Sequence, residues 1–182
     1  MNGQIVYVSF VRLINWDTAT PLLNTCNQIV NSGARQIHLL LSSPGGQIDP
    51  GFSIYNQLIG LPIELVTHNI GSIDSMANII FLAGTNRLAC GNATFLFHGI
   101  HWGFPAAIEI MRPKLSEILT SLQAAENRMR DCIVSKTSLT GDEVDAFFAE
   151  GATKDAIFAH SRGIIHAIED VNIPVGTQIV QV

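Results

Sequence analysis

No two cysteines lie close enough to form a C-x-x-C pair: Cys26, Cys90 and Cys132 stand alone. Each sits in an apolar setting, which argues for buried, reduced thiols rather than a disulfide framework or a cysteine nucleophile. Basic runs are also missing. Lys and Arg total 10 against 15 acidic residues, for a net charge of -5, so nucleic acid is not an expected partner. No apolar run approaches the roughly 18 residues of a spanning helix, and Met1-Asn2-Gly3-Gln4 lacks the basic start of a secretory signal. Together these point to a cytoplasmic protein with no membrane contact. Neither GxGxxG nor GxxxxGK[ST] occurs, and no histidine–carboxylate cluster has metal-ligand spacing, so no cofactor and no metal are expected. Charged residues are scarce at 14% while apolar ones reach 47%. That balance suits a deep core or buried subunit interfaces in a single domain spanning 1–182.

What is present alternates between strands and helices. Residues 4–10 read as a strand. Thr20 as N-cap and Pro21 at the first helical position predict a helix to about Asn31, closed by Ser32-Gly33. Residues 36–41 form an apolar strand of the kind found inside parallel sheets. A turn, Ser42-Ser43-Pro44-Gly45-Gly46, leads to a helix from Asp49-Pro50 to Gly60. The next strand is 63–68, then a turn containing Ser75 and a helix over 76–83. Short strands follow at 87–89 and 94–97. This β-α-β-α-β-α order predicts an α/β fold with right-handed crossovers. From Ile108 onward apolar residues recur at three and four: Met111, Leu115, Ile118, Leu122, Ala125, Met129 and Cys132. The stripe predicts a long helix, regular from near Arg112, that either packs on its own domain or projects to meet another subunit. Thr140-Gly141-Asp142-Glu143 is a capping box opening a helix through Ala149. A short helix over 159–162, ended by Gly163, and a last core strand over 164–168 complete the pattern.

Three segments carry chemistry. Ser75 lies in Gly71-Ser72-Ile73-Asp74-Ser75-Met76, at a strand–helix junction where a hydroxyl projects off the sheet edge beside unpaired backbone N–H groups. Serines there are also ordinary N-caps. Gly45-Gly46 lets main-chain amides approach a ligand because no Cβ intervenes. His98 ends the strand Thr94-Phe95-Leu96-Phe97 and has the side chain suited to take a serine proton near neutral pH. A third member, to orient the imidazole, has Asp155 as its best candidate, with Asp49, Asp74 and Asp170 as competitors.

Ser43-Pro44-Gly45-Gly46, Gly71-x-x-x-Ser75-Met76, the strand ending in His98, and Lys154-Asp155 with residues 159–168 resemble, in order, the proteolytic subunits of the Clp protease family. The resemblance runs over about 4–169. It implies the ClpP/crotonase-like α/β fold of stacked β-α-β units, with a projecting helical handle at about 105–150. It also implies a serine endopeptidase with Ser75 as nucleophile, His98 as base and Asp155 as orienting acid. Gly46 and Met76 would supply oxyanion N–H groups, and Gly45, Gly46 and Ile48 would pair with an extended peptide or unfolded protein substrate. A homo-oligomer is implied, and an AAA+ ATPase partner is left open. Ile73 and Asp74 stand where the family has small residues, and Gly99-Ile100-His101-Trp102-Gly103-Phe104-Pro105 replaces its Gln-Pro and glycine-rich strand, marking a divergent member. Two other readings follow: a catalytically silent ring-forming subunit, and a crotonase-type acyl-CoA enzyme, for which no glutamate stands near Ser75 in the sequence.

Overall fold

The computed structural model describes residues 4–101, 103 and 109–182. Its centre is a parallel sheet. Strands β1 (Ile5–Val11), β2 (Gln36–Ser43) and β3 (Glu64–Asp74) lie side by side. Their registers run Ile5 against Gln36 and Gln36 against Glu64. Helices α1 (Trp16–Asn31) and α2 (Ile48–Ile59) make the crossovers. Val6, Val8, Ile37, Leu39 and Leu65 meet Leu22, Cys26 and Ile54 of these helices in the core. Each fully buried Leu or Ile there contributes about 1.5–3 kcal/mol.

β3 is far longer than the sequence predicts, running to Asp74 rather than stopping at His68. It changes partner midway. Val66–Asn69 pairs with β4 (Asn86–Ala89), and Ser72–Asp74 pairs with β5 (Thr94–Phe97). Asn69 manages the switch: its Nδ2 donates to the Thr94 carbonyl and its Oδ1 accepts from Gly71 N–H. β5 then pairs antiparallel with β6 (Ala152–Asp155). The edges are closed by β7 (Ala167–Ile168) on β4 and by β8 (Ile179–Gln181) on β1. The expected last strand over 164–168 is thus reduced to two residues, although Ile164 and Ile165 are buried. β8 has no counterpart in the sequence reading.

The first helix also departs from expectation. It starts at Trp16, with Asn15 as N-cap in a reciprocal box with Thr18, and Pro21 lies inside it. Pro21 removes only the bond to the Asp17 carbonyl, and the box at the start offsets part of that loss. The box at Thr140 and Glu143 opens α5 (Gly141–Glu150) as predicted. The long helix α4 (Arg112–Lys136) carries Pro113 in its first turn, where a missing N–H costs nothing. Its apolar stripe divides: Ile118 and Met129 are buried, whereas Met111 and Leu115 are exposed; off the stripe, Ile133 is buried and Leu119 exposed. Ile108, at the head of that stripe, lies outside the described residues, as do Trp102, Phe104 and Pro105.

Arg87 ties the later elements to the sheet. It is buried, with its guanidinium donating to the carbonyls of Ile164 at 2.8 Å, Gly163 at 2.9 Å and Lys136 at 3.0 Å. Arg87→Ala would orphan those carbonyls. Hydrogen bonds from charged donors contribute about 1.5–3 kcal/mol, so a loss of about 3 kcal/mol is expected in urea melts. Arg87→Lys should recover little of it, because one ammonium lacks the fork that spans three acceptors.

Two histidines meet on the opposite face of the sheet. His68 Nε2 lies 2.7 Å from the Glu169 carbonyl, which only accepts, so that nitrogen carries the proton. Its Nδ1 therefore accepts from His38 Nε2 at 3.1 Å, and Tyr7 stacks on His38 at 4.5 Å. Burial, and then the His68 charge, pushes His38 down to about 4. Burial also lowers His68, against the opposing pull of Glu169 and Asp170. Both rings are thus favoured neutral in the fold. Their contribution is complete above the ordinary value of 6.5 and is lost as pH falls from there toward about 4. Allowing for the partial exposure of His38, about 1–2 kcal/mol should disappear between pH 7 and pH 4. Denaturant melts across that range should show it, and His38→Gln should flatten it.

Candidate active site

Ser75 has φ 54, and it is the one non-glycine residue with positive φ among those described. An L-residue held there stores about 1–2 kcal/mol, which surrounding bonds must overcome. The turn is pinned from both sides. Ser75 N–H donates to the Leu96 carbonyl at 2.9 Å. Asn78, buried at the start of α3 (Ala77–Phe81), donates through Nδ2 to the carbonyls of both Ser75 and Leu96. The helix is shorter than the predicted 76–83, with Met76 as its N-cap.

The glycine turn lies directly beneath. Gly45 and Gly46 have φ 86 and 144. A Cβ on Gly45 would fall 2.7 Å from that of Ser75 and 3.1 Å from Met76 N, and one on Gly46 would fall 2.2 Å from the Ile14 carbonyl oxygen. The loop after β1 braces this turn: Ile14 N–H donates to Gly45 O, and Gln47 N–H donates to Ile14 O, both at 2.8 Å. Neither Gly46 N–H nor Met76 N–H donates to another group among the described residues.

Ser75, Met76, Gly46, Ile48 and His98 all line one groove of about 930 Å³, bounded on its far side by α4 through Ala125 and Met129. His98 Nδ1 lies 2.7 Å from the Gly99 carbonyl. A carbonyl cannot donate, so Nδ1 bears the proton and Nε2 is left as the acceptor. The following loop is held by Gly99 N–H to Phe148 O and by Ile100 N–H to Glu126 Oε1 at 3.1 Å.

Asp155 is placed elsewhere. The β5–β6 register sets it opposite Thr94 and sets Ala152 opposite Phe97. His98 lies beyond Phe97, so about 13 Å of strand separates the two positions. The Asp155 carboxylate instead accepts from Phe158 N–H at 2.7 Å and caps α6 (Ala156–Ser161). Continued by one step, the register brings Gly151 opposite His98. The structure therefore lines one groove with Ser75, His98, Gly46 and Met76, with no hydrogen bond between Ser75 and His98 among the described residues, and leaves Asp155 out.

A model of the Clp protease family matches residues 6–171. The chain belongs to the Clp protease family. It is 33% identical to ATP-dependent Clp protease proteolytic subunit 1 of Leifsonia xyli subsp. xyli over 114 residues, covering 62% of this chain and 56% of that one. It is 25% identical to proteolytic subunit 2 of Chlamydia trachomatis over 167 residues, covering 88% and 78%. A solved structure of a ClpP1 point mutant from Listeria monocytogenes superposes with a TM-score of 0.80 at 17% identity, covering 91% of this chain and 92% of that one. The expected ClpP-like α/β fold is the observed one.

Three residues that matter to the site in this member of the Clp protease family escape a motif search. Asn78 is a lone amide in an apolar helix, and that is a readable signal. Asn69 and Glu126 act through contacts far away in sequence and leave none. Cys26 is no rival to Ser75: it is buried, which pushes its thiol up to about 12. Among the described residues no His/Cys/Asp/Glu group could hold a metal, and no helix is long and apolar enough to cross a membrane.

Proposed function

We propose that this protein is a serine peptidase in which Ser75 attacks and His98 serves as base. The observation that carries the reading is the strained Ser75 turn, facing the groove beside the amides of Gly46 and Met76. A peptide carbonyl above Ser75 would be attacked by Oγ as its proton passes to His98 Nε2. The carbonyl π pair moves onto oxygen, and the Gly46 and Met76 N–H groups hold that charge. Collapse breaks the C–N bond, and His98 returns the proton to the leaving amine. Water then repeats the sequence on the acyl-enzyme. Gly46 and Ile48, at the groove wall, together with the adjoining Gly45, would pair with the main chain of an extended substrate. The exposed Leu115 and Leu119 of α4, with Met111 as its N-cap, supply an apolar surface for assembly with further copies.

A fluorophosphonate probe tests this on the assembled protein. Wild type should label at Ser75 and Ser75→Ala should not. Absence of labelling, or equal labelling of both, overturns it. The displacement of Asp155 from His98 favours the second reading, a silent ring-forming subunit, which predicts no label at all. The acyl-CoA reading gains nothing, since no glutamate is among the described residues lining the groove.

A further inference from the structure

His98 has no carboxylate facing it from β6, yet a proton-accepting imidazole beside a serine needs two services. Its Nδ1–H tautomer must be held, and the positive charge of the protonated ring must be balanced. Gly99 O performs the first, at 2.7 Å from Nδ1. A neutral carbonyl gives little of the second.

Asp74 is placed to give it. The β3–β5 register pairs Ile73 with Phe95 and Asp74 with Leu96. Ile73, Phe95 and Phe97 enter the core, whereas Asp74, Leu96 and His98 are half-buried on the other side. Successive strand residues alternate faces, so Asp74 and His98 share one, offset by two residues along adjacent strands. Asp74 also directly precedes Ser75, and Ser75 N–H is bonded to Leu96 O between them. Burial raises Asp74 from the usual carboxylate range, while the Ser72 hydroxyl, the His98 charge and the Leu96 backbone pull it back. Three other charged groups belong to the same surroundings, and Arg128 is stacked over Phe52 at 4.0 Å. Glu126 is taken by Ile100 N–H, and Asp49 and Arg128 line the same groove as His98 but are not on the strand next to it. His101 stacks on His98 at 5.1 Å and adds no negative charge.

We propose that the third member of the site is divided in two: the Gly99 carbonyl orients His98, and the Asp74 carboxylate acts as a positioning charge that stabilises the protonated ring. This rests on the peptidase reading above. It turns the carboxylate beside the nucleophile into a component of the site rather than an obstacle to it.

The test uses the assembled protein and the isosteric Asp74→Asn, which deletes the charge and keeps the shape. Because Gly99 O still holds the tautomer, the expected loss in kcat/KM is about 10- to 100-fold, less than when tautomer and charge go together. The acid limb of the pH profile should move to lower pH, and Asp155→Asn should have the smaller effect of the two. An unchanged rate and acid limb in Asp74→Asn, or a larger loss in Asp155→Asn, overturns the proposal. A second measurement is independent of turnover. In ¹³C NMR, the Asp74 carboxyl should titrate at higher pH in His98→Gln than in wild type, because a neighbouring positive charge has gone. An unmoved Asp74 overturns the proposal even where no peptide is cleaved. A moved Asp74 in a protein whose Ser75 does not label upholds the coupling and overturns the peptidase reading instead.

Discussion

Ser75→Ala is expected to lower peptide hydrolysis by about 10³- to 10⁵-fold. Removing the nucleophile from a complete serine site costs about 10⁶ in kcat; the missing acid opposite His98 lowers the starting rate and so the drop. The fold should barely respond. The Ser75 hydroxyl makes no hydrogen bond among the described residues, and alanine suffers the same positive φ as serine. The bonds that pin the turn use Ser75 backbone atoms, which the substitution keeps. Melting and assembly within about 0.5 kcal/mol of wild type, with hydrolysis gone, would separate chemistry from structure. Hydrolysis persisting above a tenth of wild type would assign it to another group.

Gly46→Ala should be as damaging, by a different route. The added methyl carbon would lie 2.2 Å from the Ile14 carbonyl oxygen and 2.9 Å from two other Ile14 backbone atoms. A flexible side chain could swing away, but main chain on both sides cannot. Relief requires breaking the bracing bonds that Ile14 makes to Gly45 and Gln47. The expected cost is about 3 kcal/mol or more of stability. A displaced Gly46 amide would add about 10²- to 10³-fold in rate, the usual cost of one lost oxyanion donor. Gly33→Ala is the matched control. Its φ is 83, but nothing lies within 4 Å of its Cβ position, so only about 1 kcal/mol of backbone strain should appear, with activity kept. Equal behaviour of the two variants would show that the Ile14 contact is irrelevant.

The parts of the site readable from sequence are those fixed by local order. A serine at a strand–helix junction, a Pro-Gly-Gly turn after an apolar strand, and a histidine at a strand end each place themselves, because a parallel sheet gathers such ends along one edge. Asp155 misleads because its position depends on the register of an antiparallel pair, set by residues sixty positions earlier. The apolar stretch after it reads as core, yet Ile157 is 71% exposed. The stronger local signal was an aspartate opening a helix, which is a cap. Pro21 misleads in a related way. Proline at a first helical turn is the commoner arrangement, but the Asn15–Thr18 box lies earlier and wins. β3 looked short because Asn69 and Gly71 resemble a strand end, whereas they are the hinge by which it passes from β4 to β5. Asp74 stands in the sequence as one of several competitors for the third member and as a departure from the family pattern; choosing it requires knowing which strands are neighbours.

The carbonyls that receive Arg87 carry a consequence for how the chain comes into being. A ribosome delivers the guanidinium just after the Gly84 carbonyl but long before its closer acceptors: the Lys136 carbonyl follows 49 residues later and the Ile164 carbonyl 77. Until then the guanidinium has water and the Gly84 carbonyl in place of those partners. β4 is thus expected to settle late, once the segment carrying Gly163 and Ile164 has docked against it.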